Sequence, residues 1–174
     1  LLMVEKFYTK NGVPINEDKT WDYTDRYQVM RHIATDPYHL ISNYETVKLH
    51  FDREPRFYSS IAFDGAMWYQ QNCPSGAITD IWTAQGRSGQ PQGKLGAYNY
   101  TTTGYWVKKL VSWKYELTET GYNTENFPWP EMRLADLYLL YAEALNEKDD
   151  ASNRSLAIQY VDKVRARAGL PGIE

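Results

Sequence analysis

Trp68, Tyr69, Trp82, Tyr98 and Tyr100 fall in a stretch, Ala62 to Trp106, whose only charged residues are Asp64, Asp80, Arg87 and Lys94. Gln70, Gln71, Asn72, Gln85, Gln90, Gln92 and Asn99 are interspersed among them. Aromatic faces stack on the C–H faces of sugars, and amides exchange hydrogen bonds with hydroxyls, so this set suits a neutral, polyhydroxylated ligand. The five aromatics are therefore the candidate ligand-binding residues. Phe63, Tyr105 and Trp106 flank strand-like runs and are assigned to packing. Trp129, held between Pro128 and Pro130, is assigned to packing as well.

Other chemistry is weakly supported. Asp64 and Asp80 could form the carboxylate pair of a glycoside hydrolase, but a turn role beside Gly65 accounts for Asp64 equally well. His32, His39 and His50 lack the spacing of a two-histidine helical metal site. Cys73 is the single cysteine, so an internal disulfide and a zinc ribbon are both excluded. Gly89 to Gly93 is one residue short of a phosphate loop, and Leu95 stands where its Ser or Thr would be. No catalytic residue, metal site or cofactor is assigned, and the chain is read as a non-enzyme.

The chain has 174 residues, 43% hydrophobic and 24% charged, in the range of one globular domain. Nineteen basic against 22 acidic residues give a net charge of −3, with no basic block, which argues against nucleic-acid binding. The apolar runs are only a few residues long, far short of the roughly 20 needed to span a bilayer. The opening Leu1-Leu2-Met3-Val4-Glu5-Lys6 has neither an initiator methionine nor a signal pattern, and is read as the inside of a longer protein.

The elements that must position the aromatics are unevenly legible. Asn11-Gly12-Val13-Pro14 and Thr35-Asp36-Pro37 are turn signals, and a short helix fits Met3 to Tyr8. Phe57 to Phe63 and Tyr105 to Val111 look like strands that could frame the aromatic loop. Beyond Pro130 the pattern turns helical: Leu134, Leu137, Tyr138, Tyr141 and Leu145 share one face, and Leu139, Leu140 and Ala144 widen it. After the polar turn Lys148 to Ser152 a second helix is predicted, capped by Ser152 or Asn153. Leu156, Ala157, Tyr160, Val161, Val164 and Ala168 face inward, and the helix ends at Gly169-Leu170-Pro171. The two make an antiparallel hairpin of roughly 37 residues, about one tetratricopeptide unit, which cannot bury both of its faces alone. Arg133, Arg165 and Arg167 are read as ion-pair partners of Asp136, Glu143 and Asp162. Arg56 is read as a buried structural anchor in preference to a ligand contact.

The run Pro130-Glu131-Met132-Arg133-Leu134-Ala135-Asp136-Leu137-Tyr138-Leu139-Leu140-Tyr141-Ala142-Glu143-Ala144-Leu145-Asn146-Glu147, followed by Val161-Asp162-Lys163-Val164-Arg165-Ala166-Arg167-Ala168-Gly169-Leu170-Pro171, resembles the helical signature of the SusD/RagB family. Met3 to Tyr8 with Asn11 to Ile15, and Asp52-Arg53-Glu54-Pro55-Arg56-Phe57-Tyr58 with Ser60-Ile61 and Asp64-Gly65, agree in the same order. Glu54 departs from the family's usual Asp, and agreement is weak from Gln70 to Thr103. The resemblance implies a mainly α, SusD-like fold: residues 1–130 irregular and partly β around the aromatic loop, then the tetratricopeptide-like hairpin at 131–171. It further implies the C-terminal part of an outer-membrane nutrient-binding lipoprotein. Such a protein would bind oligosaccharide or polysaccharide at the outward-facing surface and pass it to a SusC-like TonB-dependent transporter. It would be held to the membrane only by a lipid anchor outside this chain. A tetratricopeptide-type protein-contact module without a sugar ligand is the alternative.

Overall fold

Pro55 decides the first element that the sequence misleads on. Its ring presets a helical φ at the first helical position, where no backbone N–H is needed. Phe57 and Tyr58 therefore lie in a helix, α2 (Pro55–Ser60), and only the last three residues of the strand-like run extend, as β3 (Ile61–Phe63). The computed structural model describes residues 2–33, 38–70, 81–98, 100–118, 120–148 and 150–173. Before α2 come α1 (Leu2–Glu5), the paired strands β1 (Val29–His32) and β2 (Tyr44–Val47), and a 3-10 turn at Lys48–His50. After β3 come β4 (Met67–Tyr69), β5 (Ile81–Thr83), β6 (Tyr105–Val107), β7 (Glu116–Thr118) and β8 (Gly121–Asn123). The helices α3 (Leu134–Asn146) and α4 (Ala151–Arg167) close the order.

The expectation of a mainly α fold is corrected by this inventory. Helix accounts for 28% and strand for 20%, and the strands pair as four separate two-stranded antiparallel sheets among the described residues. Three-residue strands complete less than two periods of alternation, so they leave almost no signature in a sequence, whereas a 13-residue helix repeats its stripe several times. The frame suggested for the loop does form: β3 and β6 pair with Ile61 opposite Val107, Ala62 opposite Trp106 and Phe63 opposite Tyr105.

Two cores result. The larger gathers Val4, Ile15, Leu40, Leu49, Phe57, Tyr58 and Phe63, with Phe57 and Phe63 stacked at 5.2 Å and Phe7 edge-on to Phe57 at 5.6 Å. The smaller lies between α3 and α4 and buries Ala142, Leu145 and Ala157. Asp150, not Ser152 or Asn153, caps α4, its carboxylate accepting from the Asn153 backbone N–H at 2.8 Å. At the other end Gly169 takes φ +73°, a conformation that costs no Cβ strain only in glycine, and Leu170 folds back with its N–H on the Arg165 carbonyl. Arg165 makes no ion pair among the described residues: its Nε donates to the Pro171 carbonyl at 2.8 Å.

The α3 stripe is less buried than its spacing implies. Leu134 is 61% and Leu140 60% exposed, while Leu137, Leu139 and Tyr141 are also open to solvent. Trp129 contradicts its assignment to packing, for it is 68% exposed. Two flanking prolines make its backbone rigid but bring no second surface to its ring. Trp129→Ala is expected to move the melting temperature by no more than about 2 °C, read by thermal circular dichroism. A fall of about 10 °C would show the ring to be packed.

Candidate aromatic binding site

The β4–β5 hairpin puts Trp68 opposite Trp82, although 13 residues separate them in the chain. Directly opposed residues share a face, and the two rings sit 6.0 Å apart at a 50° tilt. Both are half-buried, and neither indole N–H has a hydrogen-bond partner among the described residues. Tyr69 is next in the strand and so points to the other face, where its hydroxyl donates to the Tyr38 carbonyl at 3.2 Å. Tyr98 is almost fully exposed on a loop. Tyr100 lines a separate open cleft of about 520 Å³ with Gln92, Thr101 and Trp106. The five candidates thus divide into a tryptophan pair, a tyrosine behind it, and a second aromatic cleft. Gln71, Asn72, Cys73 and Asp80 lie outside the described residues.

Lys108 ties the tryptophan hairpin to the core. Its ammonium donates to the Tyr58 carbonyl on α2 at 2.8 Å and to the Met67 carbonyl on β4 at 2.9 Å, and lies 6.0 Å from the Trp68 ring. Burial pushes this amine down to about 8. Nothing in the sequence marked it. A lysine two residues after a tryptophan reads as a solvent-facing end of a strand.

Asp64 does the same for the loop that follows β5. One carboxylate oxygen accepts from the Tyr44 hydroxyl and the Gly86 backbone N–H, each at 2.9 Å, and the other from Arg87 Nε at 2.8 Å. Burial, followed by the hydrogen bond to this carboxylate, raises the Tyr44 phenol to about 12. Oxygens so occupied are those of a clamp. A hydrolytic acid or base would need one free to face substrate. Within the clamped loop the Gln85 backbone N–H donates to Gln92 Oε1 at 2.8 Å. Gly93 approaches the Arg87 carbonyl so closely that a Cβ there would lie 1.7 Å from it. The glycines that resemble a phosphate loop in sequence are therefore explained by a tight turn.

Each histidine lies against an aromatic ring: His32 on Phe51 at 5.6 Å, His39 on Tyr58 at 4.5 Å and His50 on Phe63 at 4.0 Å. Among the described residues no group of three or more His, Cys, Asp or Glu is placed to hold a metal ion, and no helix is long and apolar enough to cross a membrane. Another cleft, of about 620 Å³ and lined by neither Trp68 nor Trp82, lies between Trp21, Phe51, His32 and Tyr58. The ion pairs Lys10–Asp52 and Lys48–Asp22 stand among its lining residues.

The anchoring arginine is not the one expected. Arg56 is half exposed and pairs with the buried Glu54 at 2.6 Å, whereas its neighbour Arg53 is fully enclosed. Arg53 donates to the carbonyls of Leu49 at 2.6 Å, Phe7 at 2.7 Å and Val4 at 2.8 Å. Pro55 turns the chain into α2 between the two arginines, and this bend sends the side chains of Arg53 and Arg56 in different directions.

Comparison with known proteins agrees with this architecture. The solved structure of BT4246 superposes with a TM-score of 0.72 at 26% identity, over 99% of this chain and 28% of that one. A SusD-like protein from Bacteroides fragilis, BF3747, superposes at 0.56 with 22% identity over the same shares, a likeness of fold. The chain therefore spans little more than a quarter of the length of these relatives. No curated protein matches it. The profile of the SusD family matches residues 1–174 without a break, and the chain belongs to that family.

Proposed function

We propose that this chain is part of a non-catalytic protein that binds oligosaccharide nutrients through its aromatic hairpin, at the outward face of the outer membrane. A SusC-like TonB-dependent transporter is the proposed recipient of the sugar. Membership of the SusD family supports the nutrient-binding role. The observation that carries the sugar-binding part is the Trp68–Trp82 pair, two half-exposed indoles side by side with their N–H groups unpartnered among the described residues. A stacking face beside a free donor matches the alternating C–H and hydroxyl surface of a pyranose. Trp82→Ala is expected to weaken binding of the protein's best oligosaccharide several-fold, since one stacking contact contributes on the order of 1 kcal/mol. The melting temperature should stay within a few degrees of wild type. Titration calorimetry after a glycan array makes the measurement. Unchanged affinity in a folded Trp82→Ala protein removes the hairpin from the site.

The helical hairpin supports a second reading, protein contact. Leu134, Leu137, Leu139 and Leu140 form an exposed apolar stretch on α3 of the kind that marks an interaction surface.

A further inference from the structure

The second aromatic cleft carries a chemistry that the tryptophan pair does not. Between Ile81 and Tyr115 the sequence has five basic residues, Arg87, Lys94, Lys108, Lys109 and Lys114, and no acidic one, in a protein whose net charge is −3. Arg87 is neutralised by Asp64, Lys114 by Glu125 at 3.1 Å, and Lys108 is turned inward onto carbonyls. Lys94 is exposed, has no ion-pair partner among the described residues, and holds its ammonium 5.1 Å from the centre of the Tyr100 ring at the cleft.

The neutral groups lining the cleft point the same way. The Gln85 backbone N–H occupies Gln92 Oε1, which identifies that atom as the oxygen and leaves the amide nitrogen as a donor without a partner among the described residues. The indole N–H of Trp106 and the hydroxyl of Tyr100 are likewise unpartnered there. The Thr101 hydroxyl, by contrast, is spent on the Tyr105 carbonyl at 3.2 Å. What the cleft has free is thus two N–H donors and a phenol, which donates or accepts, beside one cation, with no carboxylate on any described lining residue. A neutral sugar, whose hydroxyls donate as readily as they accept, would find the Tyr100 oxygen as the one unpartnered side-chain acceptor among the described lining residues. An anionic group needs none.

We infer that the Gln92, Tyr100 and Trp106 cleft, with Lys94 at its edge, is a subsite for an anionic sugar, one bearing a carboxylate or a sulfate. This rests on the glycan-binding reading and departs from the neutral ligand that the amide-rich sequence suggested. An array of matched neutral, uronic-acid and sulfated oligosaccharides tests it, followed by titration of the strongest binder at 20 and 200 mM NaCl. The expected result is preference for an acidic member, with affinity falling about threefold or more as salt rises, because an exposed charge contact is screened. The uronic-acid and sulfated arms separate the two sources of charge. Lys94→Gln is expected to reproduce that loss at low salt, while Lys114→Gln, which removes an equal charge away from the cleft, leaves affinity unchanged. Preference for neutral sugars with flat salt dependence overturns the inference and leaves the glycan reading intact. Acidic binding equally strong in Lys94→Gln removes the subsite from this cleft. Silence across the whole array overturns both.

Discussion

Arg53→Ala is expected to lower the melting temperature by roughly 10 to 20 °C, or to abolish the cooperative transition altogether. Arg53 is 2% exposed, and its guanidinium faces no carboxylate at hydrogen-bond distance among the described residues and is satisfied by backbone carbonyls 4 to 49 residues away. It also lies 4.7 Å from the face of Phe57. Burial lowers its pKa only to about 10, so the group remains charged at neutral pH. Truncation strands the carbonyls of Val4, Phe7 and Leu49 inside the protein, at about 1 to 3 kcal/mol for each unsatisfied group. A loss on the order of 3 to 6 kcal/mol is a large part of the 5 to 15 kcal/mol typical of a whole domain. For a chain of this size each kcal/mol corresponds to about 2 to 4 °C. Arg53→Lys should fall between, because an ammonium keeps the charge but cannot reproduce the planar fork. Thermal unfolding of both variants beside wild type makes the test, and a shift under about 2 °C in Arg53→Ala would refute the anchoring role.

The second large effect is a loss of stability in mild acid, centred on His50. The Thr46 hydroxyl has one proton and gives it to the Asp64 carbonyl at 2.7 Å, so the contact of 2.7 Å between Thr46 Oγ1 and His50 Nδ1 has the imidazole as donor. Nε2 of the neutral ring then accepts from the Tyr105 hydroxyl at 2.9 Å. Full burial, reinforced by the charge of Arg53, pushes this histidine down to about 3. The unfolded chain takes up a proton near pH 6.5 and the native state does not, so stability is complete above about 6.5 and declines as pH falls toward 3. The slope approaches about 1.4 kcal/mol per pH unit within that window. The melting temperature should therefore drop between pH 7 and pH 4.5, before most carboxylates titrate. His50→Gln, less stable at neutral pH because its packing on Phe63 is lost, should show a flatter dependence. Parallel profiles for the two proteins would assign the acid sensitivity to other groups.

Residue types and local spacing alone specified the helical hairpin. Leu134, Leu137, Tyr138, Tyr141 and Leu145 within α3, and Ala157, Val161 and Val164 within α4, recur with the helical period, and Gly169-Leu170-Pro171 begins two residues after α4 ends at Arg167. A helix is built from bonds between residues four apart, so its signal is written within a short window. The family signature is legible for the same reason, as contiguous runs of residues. The aromatic and amide content of residues 62–106, too, is a property of composition and needed no fold to be seen.

Tertiary structure decided the rest, because each of those outcomes depends on partners far apart in the chain. Trp68 meets Trp82 only through the pairing of β4 with β5, and the same alternation that joins them turns Tyr69 away. Arg53 rather than Arg56 becomes the anchor because the carbonyls of Val4 and Phe7 return to it across 49 and 46 residues, a contact no local pattern encodes. Phe57 and Tyr58 have strand-like side chains, but Pro55 and the surrounding core select a helix for them. Gln92 shows its nitrogen to the cleft because a backbone N–H seven residues away claims its oxygen. Sequence supplied the chemical groups; closure of the chain on itself determined which of them were consumed in holding the fold and which were left unpartnered among the described residues.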